Sequence, residues 1–189
     1  MSEVEPRAAL EQLADLLGER NLIDAQISQL IGRPSHPGHI GEFIAAHVFD
    51  IALHPSATTK ASDGVFRAGP LAGRTVNVKW YSRASTLLDL ATSEMISDHA
   101  DFYLVLAGPK GGPSSRGEVL RWSIEAVYLF DAHELVSEQL QRGVALGIAS
   151  SVPVRLWQAA MIYPGPVSDR MTLDKRQRAL LACFGRPMA

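Results

Sequence analysis

Two side chains that could take part in chemistry lie two residues apart in one predicted strand. Residues 74–81 alternate apolar and polar side chains, which is typical of a half-buried β-strand. The alternation puts Asn77 and Lys79 on one face, opposite Val76 and Val78. An amide oxygen can bind a hard cation such as Mg²⁺, and an ammonium group can stabilise developing negative charge. The pair therefore predicts a polar site at the end of this strand.

Two carboxylates precede this strand and are expected to join the site. Glu42 lies in an apolar run that predicts a buried helix from His39 to Leu53. A carboxylate there must find a cation, a metal or several donors, or else become protonated. Asp63 begins a second strand, and the missing side chain of Gly64 lets a ligand or a backbone approach closely.

A helix glutamate, a strand-opening aspartate and a lysine at a strand end resemble the layout of the PD-(D/E)xK, or restriction-endonuclease-like, superfamily. The resemblance covers about residues 38–107 and is carried by Gly41–Ala45, Ser62–Phe66 and Val76–Trp80. More narrowly, the helix beginning at His39 and the strands at 75–81 and 103–106 resemble a bacterial family known only as a domain of unknown function. That narrower resemblance implies a fold and no established activity.

The superfamily resemblance implies a metal-dependent nuclease that hydrolyses DNA phosphodiester bonds. It implies that Mg²⁺, or Mn²⁺ in its place, is held by Asp63, Asn77 and the backbone carbonyl of Val78, with Glu42 as a further ligand or catalytic group. Lys79 would orient the attacking water and stabilise the developing charge. The implied fold is α/β, a restriction-endonuclease-like central mixed sheet flanked by helices.

Asn77 departs from the superfamily pattern, because the first residue of the D/E-x-K triplet is usually acidic. The protein ligands then carry two formal negative charges if Glu42 reaches the metal, and one if it does not. Attraction to a divalent ion is weaker as a result. A substrate phosphate could supply the missing charge, or the site could have lost catalysis and kept phosphate binding through Lys79. The sequence leaves both alternatives open.

Basic residues flank this site along the chain and predict a nucleic-acid surface. Besides Lys79 they are Lys60, Arg67, Arg74 and Arg83. Such a cluster suits the phosphate backbone of DNA, the expected partner, although solvated strand ends would show the same residues. Two alternatives to a nuclease remain. One is a non-catalytic nucleic-acid-binding module, and the other is an oligomeric scaffold, such as a homodimer, in which Asp63 and Lys79 form only an ion pair.

Residues 1–35 are predicted to form an N-terminal helical hairpin ahead of a domain at 36–189. Leu10, Leu13, Leu16 and Leu17 recur on one face of a first helix. Asn21 is a suitable cap for a second helix, which ends at Gly32. A helical lid packed on the main domain is favoured over a helix-turn-helix reader of DNA.

The remaining patterns predict the other elements of the domain. A continuous apolar run at 101–107 predicts a central strand, and residues 87–96 look loosely helical. A kinked strand is predicted within 121–130, helices at 132–141 and 152–160, and a short strand at 160–163. Thr172 is the predicted cap of a final helix, in which Cys183 is expected to be a small core residue.

Two histidine patterns are less specific. His36, His39 and Glu42 are spaced as H-x-x-H-x-x-E, but the intervening Pro and Gly interrupt the helix, so no zinc pair is predicted. His47, Asp50 and His54 form a second triplet, and most such triplets are surface or satisfied core residues.

The composition limits the classes of protein to consider. The chain has 189 residues, of which 47% are hydrophobic, and a formal net charge of −2, which excludes intrinsic disorder. The isoelectric point of about 6.3 argues against a protein covered in basic charge. The sequence predicts no membrane span and no secretory signal, since its first six residues are acidic rather than apolar. With a single cysteine, a cytoplasmic location is expected.

Overall fold

A six-stranded mixed sheet forms the centre of the molecule in the computed structural model, which describes residues 6–55, 61–109, 122–165 and 169–185. The sheet order is β1-β2-β3-β5-β6-β8, and β4 pairs with β7 in a separate two-stranded sheet. The strands are β1 (Ile51–Leu53), β2 (Gly64–Phe66), β3 (Thr75–Tyr81), β4 (Leu87–Leu88), β5 (Phe102–Ala107), β6 (Ala126–Asp131), β7 (Ser150–Ser151) and β8 (Met161–Tyr163).

Strand directions make the sheet mixed. β1, β2 and β3 form an antiparallel meander, and β3 pairs in parallel with β5. β5, β6 and β8 then continue antiparallel. The chain is thus a mixed α/β protein, as the sequence predicted, and the strands predicted at 74–81 and 101–107 are confirmed.

The part of the chain that the structure describes contains five α-helices. They are α1 (Pro6–Ile31), α2 (Pro37–Phe49), α3 (Ala132–Gln141), α4 (Val154–Ala160) and α5 (Lys175–Ala182). The predicted helices at 132–141 and 152–160 and the short strand after them are confirmed. In these five helices, none combines the length and the apolar character needed to cross a bilayer.

The sheet separates two apolar clusters. α2 and α5 cover one face, where Ile44 and Leu181 pack with Val76 and Val78 of β3. α3 and α4 cover the other face, which contains Trp157 with alternate residues of β5 and β6. All six residues of β5 are buried, because that strand is covered on both faces, as its continuous apolar run predicted.

The predicted N-terminal hairpin is wrong, because residues 6–31 form one continuous helix. Asn21 lies inside this helix rather than at a cap. No proline interrupts the region, and a single glycine, Gly18, costs a helix only about 1 kcal/mol. Since Leu10, Leu16 and Leu17 are about half exposed or more, α1 is not a lid packed on the domain either.

Two further boundaries differ from the predictions. The helix predicted to reach Leu53 ends at Phe49, because Asp50 adopts a left-handed conformation (φ 54°) and the next three residues pair with β2. The loosely helical prediction at 87–96 is also wrong. That segment begins with β4, and a short 3₁₀ helix follows at Ile96–Asp98.

The C-terminal helix is present, but two of its residues behave differently from expectation. Asp174, and not Thr172, caps α5. Its side chain accepts the Gln177 N–H, and the Gln177 side chain bonds back to the cap, which forms a capping box. Cys183 is exposed at the end of this helix, so its assignment to the core is wrong.

Candidate functional site

The third strand presents Asn77 and Lys79 as the sequence predicted. Val76 is fully buried and Val78 nearly so, against the α2 side of the sheet. By strand alternation Asn77 and Lys79 face the other side, and both are half-buried. The register agrees, since Lys79 pairs with Val105, which belongs to the opposite apolar cluster.

Asp63 lies beside the part of β3 that extends beyond its pairing with β2. We call the β2-facing side of this part the open edge of β3. Its backbone N–H bonds to the Val76 carbonyl, and its carboxylate Oδ2 accepts the Val78 N–H at 2.7 Å. The side chain thus takes the place that the backbone of the preceding residue would occupy if the antiparallel pairing of β2 with β3 continued. In a strand the N–H and C=O of one residue point to the same edge, so the Val78 carbonyl faces this carboxylate's side of β3.

Glu42 reaches the same edge from the helix that covers the α2 face. Gly41 lets α2 lie against β3, because a Cβ at that position would be 3.0 Å from Trp80 Cβ. The Glu42 carboxylate forms an ion pair of 2.7 Å with Arg33, and its side chain is only 16% exposed. Arg33 also donates to the His54 carbonyl at 2.8 Å, which ties α2 to the end of β1.

The charges of Glu42, Asp63 and Lys79 act on one another. Burial raises the pKa of Glu42, and the negative charge of Asp63 raises it further, against the opposing effects of Arg33, His39 and Lys79. Burial also raises the pKa of Asp63, although the Val78 N–H and the Lys79 charge lower it. The helix carboxylate, the strand carboxylate and the lysine are therefore close enough to influence one another's charge, with Glu42 on the α2 side of β3 and Lys79 on the other side.

Asn77 supplies a buried oxygen without a partner. Its amide nitrogen donates to the Ala61 carbonyl at 3.3 Å. Its Oδ1 is buried and has no hydrogen-bond partner within the described part of the chain. Buried polar atoms are normally paired, so this unpartnered oxygen is a position where a cation or an ordered water would be stabilised.

These residues offer only oxygen ligands, which suits a hard divalent cation. The donor set is the carboxylates of Glu42 and Asp63, the unpartnered Asn77 oxygen and the Val78 carbonyl, which are ligands that Mg²⁺ prefers. Within residues 6–55, 61–109, 122–165 and 169–185, no three His, Cys, Asp or Glu side chains are grouped to hold a metal. A cation at this site would therefore depend on the amide and backbone oxygens.

A cleft of about 710 Å³ is lined by sequence neighbours of Asp63 and Asn77, and the described residues that line it do not include Glu42, Asp63, Asn77 or Lys79 themselves. His54, Ala61, Ser62 and Thr75 line its near side, and residues 91–93 and 97–100 line its far side. Ser62 is held by His54, whose Nε2 lies 2.8 Å from the serine hydroxyl. The cleft has room for a substrate fragment larger than a single phosphate.

Sequence reasoning missed Arg33 and the position of His54. Arg33 follows α1 in a turn, nine residues before Glu42, and His54 follows β1. Their roles arise from tertiary contacts, so no local spacing pointed to them. The available signal was the rule that a carboxylate in an apolar helix needs a cationic partner.

Two of the predicted nucleic-acid residues lie away from the site. Arg67 and Arg74 lie at the far end of the β2–β3 hairpin, where each forms an ion pair, with Asp50 at 2.7 Å and Asp101 at 2.9 Å. At about 3.3 Å per residue, Arg74 lies roughly 16 Å along β3 from Lys79. Arg83 follows β3 and has interactions of its own. Lys60 lies outside the described residues.

The second histidine triplet is not assembled. His47 bonds to the Phe43 carbonyl, Asp50 pairs with Arg67, and His54 contacts Ser62. His39 bonds to the Pro34 carbonyl. Each of these side chains has a local structural partner.

Comparison with known proteins gives no family for the chain. No protein-family model matches the sequence, and a search of curated proteins returns no match. The inference of function therefore depends on the geometry of the site.

Proposed function

We propose that this protein is a metal-dependent nuclease of restriction-endonuclease-like fold that hydrolyses DNA phosphodiester bonds. The observation that carries the proposal is the electrostatic coupling of Glu42, Asp63 and Lys79 around β3, together with the bond from the Val78 N–H to Asp63 and the unpartnered oxygen of Asn77. Two carboxylates with raised pKa values reduce the stability of the folded state when ionised, and such groups are concentrated at functional sites.

The order of elements supports the superfamily assignment. The helix that carries Glu42 precedes the sheet, and Asp63 and the Asn77–Lys79 pair lie on neighbouring antiparallel strands. This is the arrangement that the sequence resemblance implies. The assignment is supported by the site and by the meander of β1, β2 and β3.

Each residue has a distinct role in the proposed reaction. Asp63, Asn77 and the Val78 carbonyl would hold Mg²⁺ or Mn²⁺, and Glu42 would be a further ligand. When bound, the metal neutralises charge on the phosphate and lowers the pKa of an attacking water. Lys79 supplies a fixed positive charge beside the reacting phosphate. Arg33 holds the Glu42 carboxylate toward β3 through its ion pair.

Cleavage of DNA by the purified protein tests the proposal. We expect cleavage of plasmid or single-stranded DNA with Mg²⁺ or Mn²⁺, and none with EDTA. Lys79→Ala should lower the rate by about 10²–10³-fold, the usual cost of removing one group that stabilises transition-state charge. The matched control is Lys175→Ala, which removes an exposed lysine from the first turn of α5 and should leave the rate unchanged. Equal cleavage by wild type and Lys79→Ala would show a contaminating nuclease and refute the assignment.

A non-catalytic nucleic-acid-binding module is the second candidate. The observation that favours it is the ion pair between Glu42 and Arg33, which neutralises the helix carboxylate, while Asn77 contributes no charge. On this alternative the protein binds DNA in a salt-sensitive manner without cutting it. Binding that is lost in Lys79→Ala, together with no cleavage under any metal, would support this second candidate over the nuclease.

A further inference from the structure

The first helix exposes an apolar surface that the rest of the described chain does not cover. α1 has 26 residues and is about 39 Å long at 1.5 Å per residue. Seven of its large apolar side chains are 46–74% exposed: Leu10, Leu13, Leu16, Leu17, Leu22, Ile23 and Leu30. Only Ile27 and Ile31, in the last two turns, are half-buried among its large apolar residues. At 3.6 residues per turn all of them except Leu22 lie on one side of the helix, and an exposed apolar surface of this extent is typical of an interaction site.

Four of the exposed residues, Leu13, Leu16, Ile23 and Leu30, fall on a heptad repeat. Residues 9, 13, 16, 20, 23, 27 and 30 are separated alternately by four and three positions, as in a coiled coil. We call this set the α1 seam. Its members are Ala9, Leu13, Leu16, Arg20, Ile23, Ile27 and Leu30, so one polar residue interrupts an otherwise apolar line.

We propose that the α1 seam pairs with the seam of a second copy of this chain, in a parallel, in-register coiled coil. Charge favours this occupant and this direction. Arg20 occupies an a position, and in a parallel pair each a residue packs beside the preceding g residue of the partner helix. That g residue is Glu19, so each Arg20 would lie beside a carboxylate of the other copy. A single polar a residue is a common device for fixing register.

The available area is consistent with a stable pair. A fully exposed leucine or isoleucine side chain contributes roughly 100 Å² of apolar surface. Six exposed side chains lie on or beside the seam, Leu22 excluded, and are exposed by more than half on average, so two helices could bury roughly 700 Å² from these residues alone. Ala9 and the methylene stems of neighbouring polar residues add to this area, which approaches the ~1,000 Å² expected of a biological interface. The inference does not depend on the proposed nuclease function.

Sedimentation of the full chain tests the pairing. We expect wild type to have twice the chain mass of 20.5 kDa at micromolar concentration and to dissociate on dilution. Leu16→Glu, at a d position of the α1 seam, should shift the mass to that of one chain. Leu22→Glu makes the same chemical change at a residue that is even more exposed, 68% against 54%, but off the seam. It should remain a dimer.

Disulfide formation tests the direction of the helices. In a Cys183→Ser background, which removes the exposed native thiol, Leu16→Cys should cross-link two copies on mild oxidation and Leu22→Cys should not. In an antiparallel pair residue 16 would not meet its own copy, so failure of Leu16→Cys to cross-link a dimer overturns the parallel arrangement. A wild type that stays monomeric at all concentrations, or equal dissociation of Leu16→Glu and Leu22→Glu, overturns the proposal.

Discussion

The buried positions of Glu42 and Asp63 destabilise the ionised forms of their carboxyl groups. Both have raised pKa values, with burial as the largest cause. The Val78 N–H and the Lys79 charge lower the pKa of Asp63, but burial outweighs them, so these contacts only partly offset the cost of burying the Asp63 anion. Because the folded-state pKa is raised, these two groups contribute stability below their unfolded pKa values, and that stability is lost as the pH rises through the folded ones.

Magnesium should therefore stabilise the protein increasingly as the pH rises. A bound divalent cation favours the ionised carboxylates of Glu42 and Asp63 and offsets the stability lost on their ionisation. We expect the increase in melting temperature caused by Mg²⁺ to be small at acidic pH and larger at neutral pH. Asn77→Asp adds a third carboxylate, so it should lower stability without metal and enlarge the effect of Mg²⁺. Thermal unfolding at several pH values, with Mg²⁺ or EDTA, measures both effects.

A charge added elsewhere separates this effect from general electrostatics. Asn21→Asp places the same charge on the exposed surface of α1 and should not change the response to Mg²⁺. If wild type and Asn77→Asp respond equally, Asn77 is not a ligand. A response that does not depend on pH would show that Glu42 and Asp63 are not ligands either.

The sequence was sufficient to predict the positions of side chains that are fixed by a single strand or a single turn. Strand alternation alone placed Asn77 and Lys79 on the face opposite Val78, and the Asp-Gly pair located the start of β2. Arg33 could not be found in this way, because its partner lies on the next helix and its second contact is the carbonyl of His54. The unpartnered state of Asn77 Oδ1 is likewise a property of packing.

At the scale of elements, predictions succeeded where periodicity was strong and burial followed it. β3 was found because its alternation holds over seven residues, and β5 because its six residues form a continuous apolar run that is buried on both faces. The hairpin prediction for α1 failed because a suitable cap residue, Asn21, is not sufficient to end a helix when no proline or tertiary contact interrupts it. The end of α2 was misplaced because pairing of residues 51–53 with β2 overrides their helical pattern.

Gly64 is predicted to be essential for the packing of β1 on β2. A Cβ there would lie 2.5 Å from the Ala52 carbonyl oxygen and 2.7 Å from the Ile51 side chain. The close approach that the sequence indicated at Gly64 is therefore the approach of the β1 backbone. Gly64→Ala should lower the free energy of unfolding by about 1–3 kcal/mol, as overpacking usually does. Urea unfolding measures the change, and displacement of β1 should also weaken the contact between Arg33 and His54.

Gly38→Ala is the matched control for that substitution. Gly38 lies in the first turn of α2, where a Cβ would meet nothing within 4 Å. The same change should be neutral or stabilising by up to about 1 kcal/mol. Equal destabilisation at both positions would mean that β1 is not packed tightly against β2.

At the scale of the whole molecule, the distribution of charge limits how DNA could be bound. The chain has 18 basic and 20 acidic residues. Arg33, Arg67 and Arg74 each pair with a carboxylate, but Arg67 and Arg74 lie at the far end of the β2–β3 hairpin, whereas Arg33 and Lys79 are basic residues near the site within the described part of the chain. A groove that runs through Arg67 and Arg74 is therefore disfavoured, and contact with DNA should be confined to a few phosphates near Lys79.

The salt dependence of DNA binding should reflect this small number of contacts. Each neutralised phosphate contributes about −0.9 to the slope of log K against log salt. Contacts from Arg33, Lys79 and one further group predict a slope of about −3, whereas a groove that also used Lys60, Arg67, Arg74 and Arg83 would give about −6. Fluorescence anisotropy in EDTA, which prevents cleavage, measures the slope. Lys79→Ala should reduce its magnitude by about 1, and Arg67→Ala should leave it unchanged. A steep slope that falls in Arg67→Ala would show that DNA runs along the whole β2–β3 hairpin, and the binding surface would then be as the sequence alone predicted.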